Sequence, residues 1–209
     1  MEMMIFGIAV LILSVIIHEV AHGYAAYALG DPTAKLAGRL TLNPVKHVDP
    51  VGSLLIPAIL VATNAGILFG WAKPVPYNPY NLKNQRWGEA IVGAAGVLTN
   101  LFLAILFAIV ARTAYANGFG DMGDLAAIVT LTNLSLGLFN LIPIPPLDGF
   151  TVLRGLMPYK LSLALRDFED KLRGGGVFTL IALLFIFTYF LSGPFFLLIR
   201  SIFNLLIGA

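Results

Sequence analysis

From Met3 to Ile17 the chain runs for fifteen residues with a single polar side chain, Ser14. The apolar pattern continues through Val20, Ala21 and Tyr24 to Leu29, so residues 3–29 read as one helix stopped by Gly30-Asp31-Pro32. At about 1.5 Å per residue such a helix crosses a hydrocarbon core of about 30 Å. Comparable runs recur at 51–71, 89–116, 124–142, 177–192 and 194–209. A chain with this many long apolar stretches suits only lipid. The charge content agrees: 13 basic and 11 acidic residues make 11% of 209, against about 25% in an ordinary soluble domain. The expected fold is an all-α polytopic membrane protein with about five to six apolar segments. A net charge of +2 gives no reason to expect a nucleic-acid partner. The absence of cysteine excludes disulfides, thiolate nucleophiles and thiolate metal ligands.

The first apolar run is expected to be retained. Glu2 precedes it, and it has neither a basic leader nor a small-x-small cleavage site. Residues 31–50 are rich in turn signals (Asp31-Pro32, Asn43-Pro44, Asp49-Pro50), and 72–88 contain Pro74, Pro76 and Pro79. Both are expected to form loops or short strands. The 51–71 run is interrupted by Pro57, Asn64 and Gly66, and the most charged stretch, 150–176, ends in Gly174-Gly175-Gly176. Gly193-Pro194 divides the C-terminal apolar region into two segments. Each is about 24 Å long if helical, which suits a hairpin or one span plus an interfacial piece. One membrane-embedded domain is expected over 1–209, with its core at 3–160.

Within the first helix stands His18-Glu19-Val20-Ala21-His22. A four-residue spacing puts both imidazoles on one helical face, one turn apart, where they can share a Zn²⁺ ion. Glu19 lies between them and can accept a proton from a water that the metal activates. With only 3 histidines in the chain, roughly one shuffled sequence in a thousand would carry this pattern. Ionisable groups within a transmembrane helix are costly and functional by default. The bland alternative is a polar cap at the helix end, but two turns of helix follow His22. Catalytic zinc takes three protein ligands. Without cysteine, the third must come from Asp31, His47, Asp49, Glu89, Asp121, Asp124 or Asp148. Asp148 stands out because Pro143, Pro145 and Pro146 force the backbone before it out of a helix. Irregular backbone at membrane depth is tolerated where it lines a cavity or is buried in protein.

The two motifs together, HEVAH at 18–22 and Asn140-Leu-Ile-Pro-Ile-Pro-Pro-Leu-Asp148-Gly149, resemble the site-2 protease family of intramembrane zinc metalloproteases. The second run fits that family's N-x-x-P-x-P-x-L-D-G pattern at every fixed position. Gly38–Pro50 and Phe69–Pro76 are similar to its small bacterial and archaeal branch, which lacks PDZ and CBS domains. The similarity covers roughly residues 10–160. It implies zinc ligands His18, His22 and Asp148, Glu19 as general base and acid, and Asn140 beside the site as a substrate-binding residue. Val97 stands where the family often has proline, in Gly96-Val-Leu-Thr-Asn100. This puts a local kink in doubt. Asn100 is read as a helix–helix hydrogen-bonding residue, with support of catalysis as the alternative. Asp49 is read as stabilising the turn before Pro50.

For one zinc to meet all three ligands, the helix carrying His18 and His22 must run parallel to the segment that ends at Asp148. That requires an odd number of crossings between them. The 51–71 run, the weaker helix, is therefore expected to be re-entrant. Residues 31–50, 72–88 and 150–176 then share a face and hold eleven of the 13 basic residues, which marks that face as cytoplasmic. The expected function is zinc-dependent hydrolysis of peptide bonds in or near transmembrane segments of membrane-protein or signal-peptide-remnant substrates, in the plasma membrane of a bacterium or archaeon. The alternative is a non-proteolytic metal-binding membrane protein: a transporter, a sensor or an inactive homologue acting as scaffold.

Overall fold

A computed structural model describes residues 2–62, 72–84 and 87–208. Helix α1 (Glu2–Ala28) is followed by a one-turn α2 (Thr33–Leu36), a 3₁₀ turn at Pro44–Lys46, a π-helical segment at Pro50–Leu55 and α3 (Ile56–Ala62). A second 3₁₀ turn, Pro79–Asn81, precedes α4 (Gly88–Ala116) and α5 (Gly120–Asn140). Then come α6 (Asp148–Leu156), α7 (Tyr159–Gly174), α8 (Gly176–Ile186), a π-helical segment at Phe187–Leu191 and α9 (Ser192–Ile207). Among the described residues, four helices are long and apolar enough to cross a membrane: α1, α4, α5 and Phe187–Ile207. No strand occurs among the described residues, so 31–50 and the described part of 72–88 are loops and short helical turns. The second half of the 51–71 segment lies outside the described residues.

Helix ends follow the local chemistry. Gly30 takes φ 107° after α1, with Gly30 N–H bonded to Tyr27 O and Asp31 N–H to Ala26 O. Gly118 (φ 79°) closes α4 the same way onto Tyr115 O and Ala114 O. Both are Schellman stops, and each needs a residue that tolerates positive φ. Asp49 Oδ1 accepts from the N–H groups of Val51 and Gly52, the turn expected before Pro50. Helix α4 continues unbroken through Val97, so the missing proline leaves it a single helix. The C-terminal region differs from expectation. Gly193-Pro194 does not divide it: the helical span Phe187–Ile207 runs through the pair, with Pro194 just after the π turn. The preceding turn widens into the π segment instead.

Packing rests on small residues at every fourth position. On α4, Gly88, Val92, Gly96, Asn100, Ala104 and Ala108 form one buried ridge, and Ser14, His18, His22 and Ala26 form its counterpart on α1. Such ridges let backbones approach closely in lipid, where apolar burial supplies no preference for protein over acyl chain. Leu11, Ile12 and Leu13 on α1 and Phe102, Ile105 and Ile109 on α4 are exposed and face outward.

The pairs across these ridges fix direction. His18 meets Asn100, and four residues later His22 meets Val92, so α1 and α4 are antiparallel. Ser14 meets Asn133 on α5, and further along His18 and His22 meet Asp148 beyond its end, so α1 and α5 are parallel. Lys83 N–H donates to Leu29 O at 2.8 Å, so the excursion from 30 to 82 leaves and returns at one place beside the end of α1.

Candidate metal centre

His18 and His22 lie on the buried ridge of α1, and Asp148 opens α6 directly after the irregular Leu141–Leu147 link. His18 Nε2 is 2.9 Å and His22 Nε2 3.3 Å from Asp148 Oδ2, and the two Nε2 atoms are 3.0 Å apart. Each ring's other nitrogen is spoken for. His22 Nδ1–H donates to Val92 O at 2.7 Å, and His18 Nδ1–H donates to Asn100 Oδ1 at 2.5 Å. In the neutral imidazoles both Nε2 atoms therefore carry lone pairs. Two such nitrogens and a carboxylate oxygen converge within hydrogen-bonding distance, and Asp148 Oδ2 is buried with no hydrogen-bond donor of its own. Three acceptors at this spacing repel unless a cation sits among them. Tetrahedral zinc, with bonds of about 2.0–2.2 Å, places its ligand atoms about 3.3 Å apart, so the donor set fits.

Gly96 makes room for this. A Cβ there would stand 2.5 Å from His22 Nε2 and 2.6 Å from His18 Cε1. In the sequence Gly96 figures only as the first residue of the 96–100 departure from the family motif. Its signal was available in the small residue at every fourth position of α4.

Glu19 projects from the same turn, and its Oε2 accepts the Val75 N–H at 2.8 Å. Both belong to a cavity of about 420 Å³ that also takes in His18, His22, Asn140 and Asp148. Asn140 donates from Nδ2 to Leu136 O, which leaves the rest of its amide on the cavity side of the helix end. The cavity runs on from the three metal-ligand candidates to charged side chains of α6 and α7, Arg154, Arg166, Glu169 and Asp170, so its walls turn from helix core to ionic surface. There Arg154 bonds both Glu89 and Glu169, and Arg166 bonds Glu89. The cluster ties the first turn of α4 to α6 and α7, and its four charges leave water as a neutral set. Burial, then the neighbouring Glu89 carboxylate, pushes the Tyr77 phenol up to about 12, so it remains a donor at the cavity wall.

The other third-ligand candidates stand elsewhere. Burial alone would raise the Asp31 carboxyl, but hydrogen bonds from Thr33, Asn81 and Asn78 outweigh it and hold it below the usual carboxylate range. Asp31 thereby pins the 77–81 turn to the end of α1. His47 is buried and donates from Nε2 to Thr41 O, while its own carbonyl accepts Lys73 N–H. Glu89 is held by the arginines and Asp124 by Tyr115. Among the described residues, His18, His22 and Asp148 are the group of three whose ligand atoms can hold one ion.

Comparison with known proteins points the same way. The model of Peptidase family M50 matches residues 113–183, a stretch that contains Asn140 and Asp148. YwhC of Bacillus subtilis, which bears "Putative zinc metalloprotease" in its name, is 43% identical over 170 residues, covering 76% of this chain and 72% of that protein. Rip2 of Mycolicibacterium smegmatis, named likewise, is 31% identical over 149 residues, 71% of this chain and 56% of its own length. Zinc metalloprotease MJ0392 of Methanocaldococcus jannaschii is 29% identical over 175 residues, 84% of this chain and 41% of its own. The chain thus spans about half the length of two of these three relatives. No solved structure gives a significant match.

Proposed function

The chain belongs to peptidase family M50, the site-2 protease-like zinc metalloproteases, and on that premise we propose that it hydrolyses peptide bonds within or beside the transmembrane segments of membrane-protein substrates. Single-span proteins and signal-peptide remnants are the substrate class. The observation that carries the reading is one cavity, among lipid-facing helices, that brings Glu19 to the convergent ligand set of His18, His22 and Asp148.

His18, His22 and Asp148 would hold the zinc, which would supply Lewis acidity toward a peptide carbonyl and toward water. The residues of the chain do the rest. His18 and His22 keep their protons on Nδ1, against Asn100 and Val92, and their Nε2 lone pairs toward the centre. Glu19 takes up the proton that water loses as its oxygen bonds to the scissile carbon. It then delivers that proton to the amide nitrogen as the C–N bond breaks, so one water is consumed and a carboxyl and an amine end are formed. Asn140 meets the substrate backbone with its remaining amide functions. A transmembrane helix hides its peptide bonds in i→i−4 hydrogen bonds, so the substrate must unwind locally. The backbone of 72–78, outside any helix and beside Glu19, is the partner for the unwound strand.

The test uses the purified protein in lipid nanodiscs with single-span substrate peptides, products being read by mass spectrometry. Cleavage is expected at bonds in or next to the apolar segment, abolished by a zinc chelator and restored by zinc. Undiminished cleavage by chelated, metal-free protein would sink the reading.

The same proposal places the catalytic cavity toward the cytoplasmic side. Lys46 and Lys83 are both exposed, on the two limbs of the excursion that closes at Leu29–Lys83. The chain has no cysteine, so a single thiol introduced at either position is unique. An impermeant thiol reagent is expected to label both from the cytoplasmic side; labelling from opposite sides contradicts the topology.

A further inference from the structure

Three polar side chains lie buried in the apolar interior behind His18, outside the cavity. Asn100 on α4 and Asn133 on α5 are fully buried, and Ser14 on α1 is 3% exposed. They form one hydrogen-bonded line across three helices. Asn133 Nδ2 donates to Val129 O and to Ser14 Oγ, both at 3.0 Å. Asn133 Oδ1 accepts from Asn100 Nδ2 at 2.8 Å. Asn100 Oδ1 accepts from His18 Nδ1 at 2.5 Å.

The line has a direction, set at its far end. A backbone carbonyl can only accept, so Val129 O requires the NH₂ side of Asn133. That turns the Asn133 oxygen toward Asn100, which must then present its own NH₂. The Asn100 oxygen is thereby left for His18, and an oxygen there requires the proton on Nδ1. With Nδ1 protonated, neutral His18 carries its lone pair on Nε2, the atom that faces His22 and Asp148. Reversing both amides would set the Asn133 oxygen against Val129 O, acceptor to acceptor, at a fully buried position. His22 receives the same instruction directly from Val92 O. The two imidazoles are thus aimed by two backbone carbonyls, one in contact and one acting through two amides.

We propose that Asn133 is a positioning residue of the metal centre: through Asn100 it fixes which nitrogen of His18 is protonated and which is offered to the metal. This rests on His18 being a zinc ligand.

The chain has 3 histidines, so a ¹⁵N-histidine spectrum of the full-length, zinc-loaded protein resolves which nitrogen of each ring carries the proton. His47 donates from Nε2, so the wild type is expected to show two Nδ1–H rings and one Nε2–H ring. Asn133→Leu removes the orienting acceptor. It is expected to mix the tautomers of His18 alone and to weaken zinc binding, measured by chelator competition, by about 10- to 100-fold. Asn133→Asp keeps an oxygen facing Asn100 and is expected to retain the two-to-one pattern. A merely structural role would lower stability in Asn133→Leu and leave the tautomers alone. An unchanged pattern in Asn133→Leu overturns the proposal, as does a mixed His18 ring in Asn133→Asp, which decides the matter if the leucine variant does not fold. His18→Ala separates the two levels. If it retains zinc with wild-type affinity, the ligand assignment fails; if it loses zinc while Asn133→Leu leaves the tautomers unchanged, only the positioning role fails.

Discussion

Glu19→Gln is expected to bind zinc at the wild-type stoichiometry and to lose cleavage by about 10²–10⁴-fold, the range that general acid–base catalysis contributes. The substitution is close to isosteric. The glutamine carbonyl oxygen can keep the bond from Val75 N–H, so the 72–78 backbone stays where it is. What disappears is the ability to hold a proton between its removal from water and its delivery to the amine. Metal content by mass spectrometry, thermal melting and cleavage of a single-span substrate form the assay. Cleavage above a tenth of wild type in a zinc-loaded Glu19→Gln protein would remove Glu19 from the mechanism. Loss of zinc in that variant would move it from base to ligand.

Asp148→Ala produces a deeper loss. It leaves two imidazoles facing a gap, and zinc content is expected to fall from one ion per chain to a small fraction after dialysis against a weak chelator, with cleavage lost in parallel. Removing a residue that only supports a ligand costs about 10- to 100-fold in affinity, and removing the ligand costs more. Asp148 also opens α6, where a carboxylate at a helix N-terminus contributes roughly 0.3–1 kcal/mol. The variant should therefore melt near the zinc-free wild type, and the two melting curves distinguish metal loss from misfolding. Full zinc occupancy in Asp148→Ala would transfer the third-ligand role to another residue.

These two residues also mark how far the sequence was legible. The relation of His18, Glu19 and His22 follows from four-residue spacing on one helix, because local geometry alone sets it. Asp148 is more than a hundred positions away. Spacing left it one of seven candidates; the proline-broken backbone before it made it stand out, and the resemblance to a family motif implied its role. Apolar length located the long helices, and the need for α1 to run parallel to α5 was visible once both site motifs had been placed. What sequence could not supply was register between helices. That Asn133 lies level with Ser14, or that Gly96 lies level with both imidazoles, depends on how two helices slide past one another. A single asparagine in an apolar run announces a buried partner without naming it. The link from Glu89 through Arg154 to Glu169 is hidden for the same reason: its members lie on three elements and have no common spacing. Gly193-Pro194 misled in the opposite sense. A proline need not end a helix, and here the π turn at Phe187–Leu191 precedes it in an otherwise continuous span.

The bond between Leu29 and Lys83 has a practical side for protein engineering. The segment between them is a cassette whose two junctions already touch, so exchanging it for the corresponding segment of a relative would not oblige α1 or α4 to move. Closure entropy grows slowly with loop length, and a longer cassette is tolerated nearly as well as a shorter one. Two fixtures would have to travel with any graft: an amide at the place of Val75 to hold Glu19, and partners for Asp31 equivalent to Asn78 and Asn81. Chimeras built at these junctions would vary what the protein admits while keeping α1, α4, α5 and α6 constant.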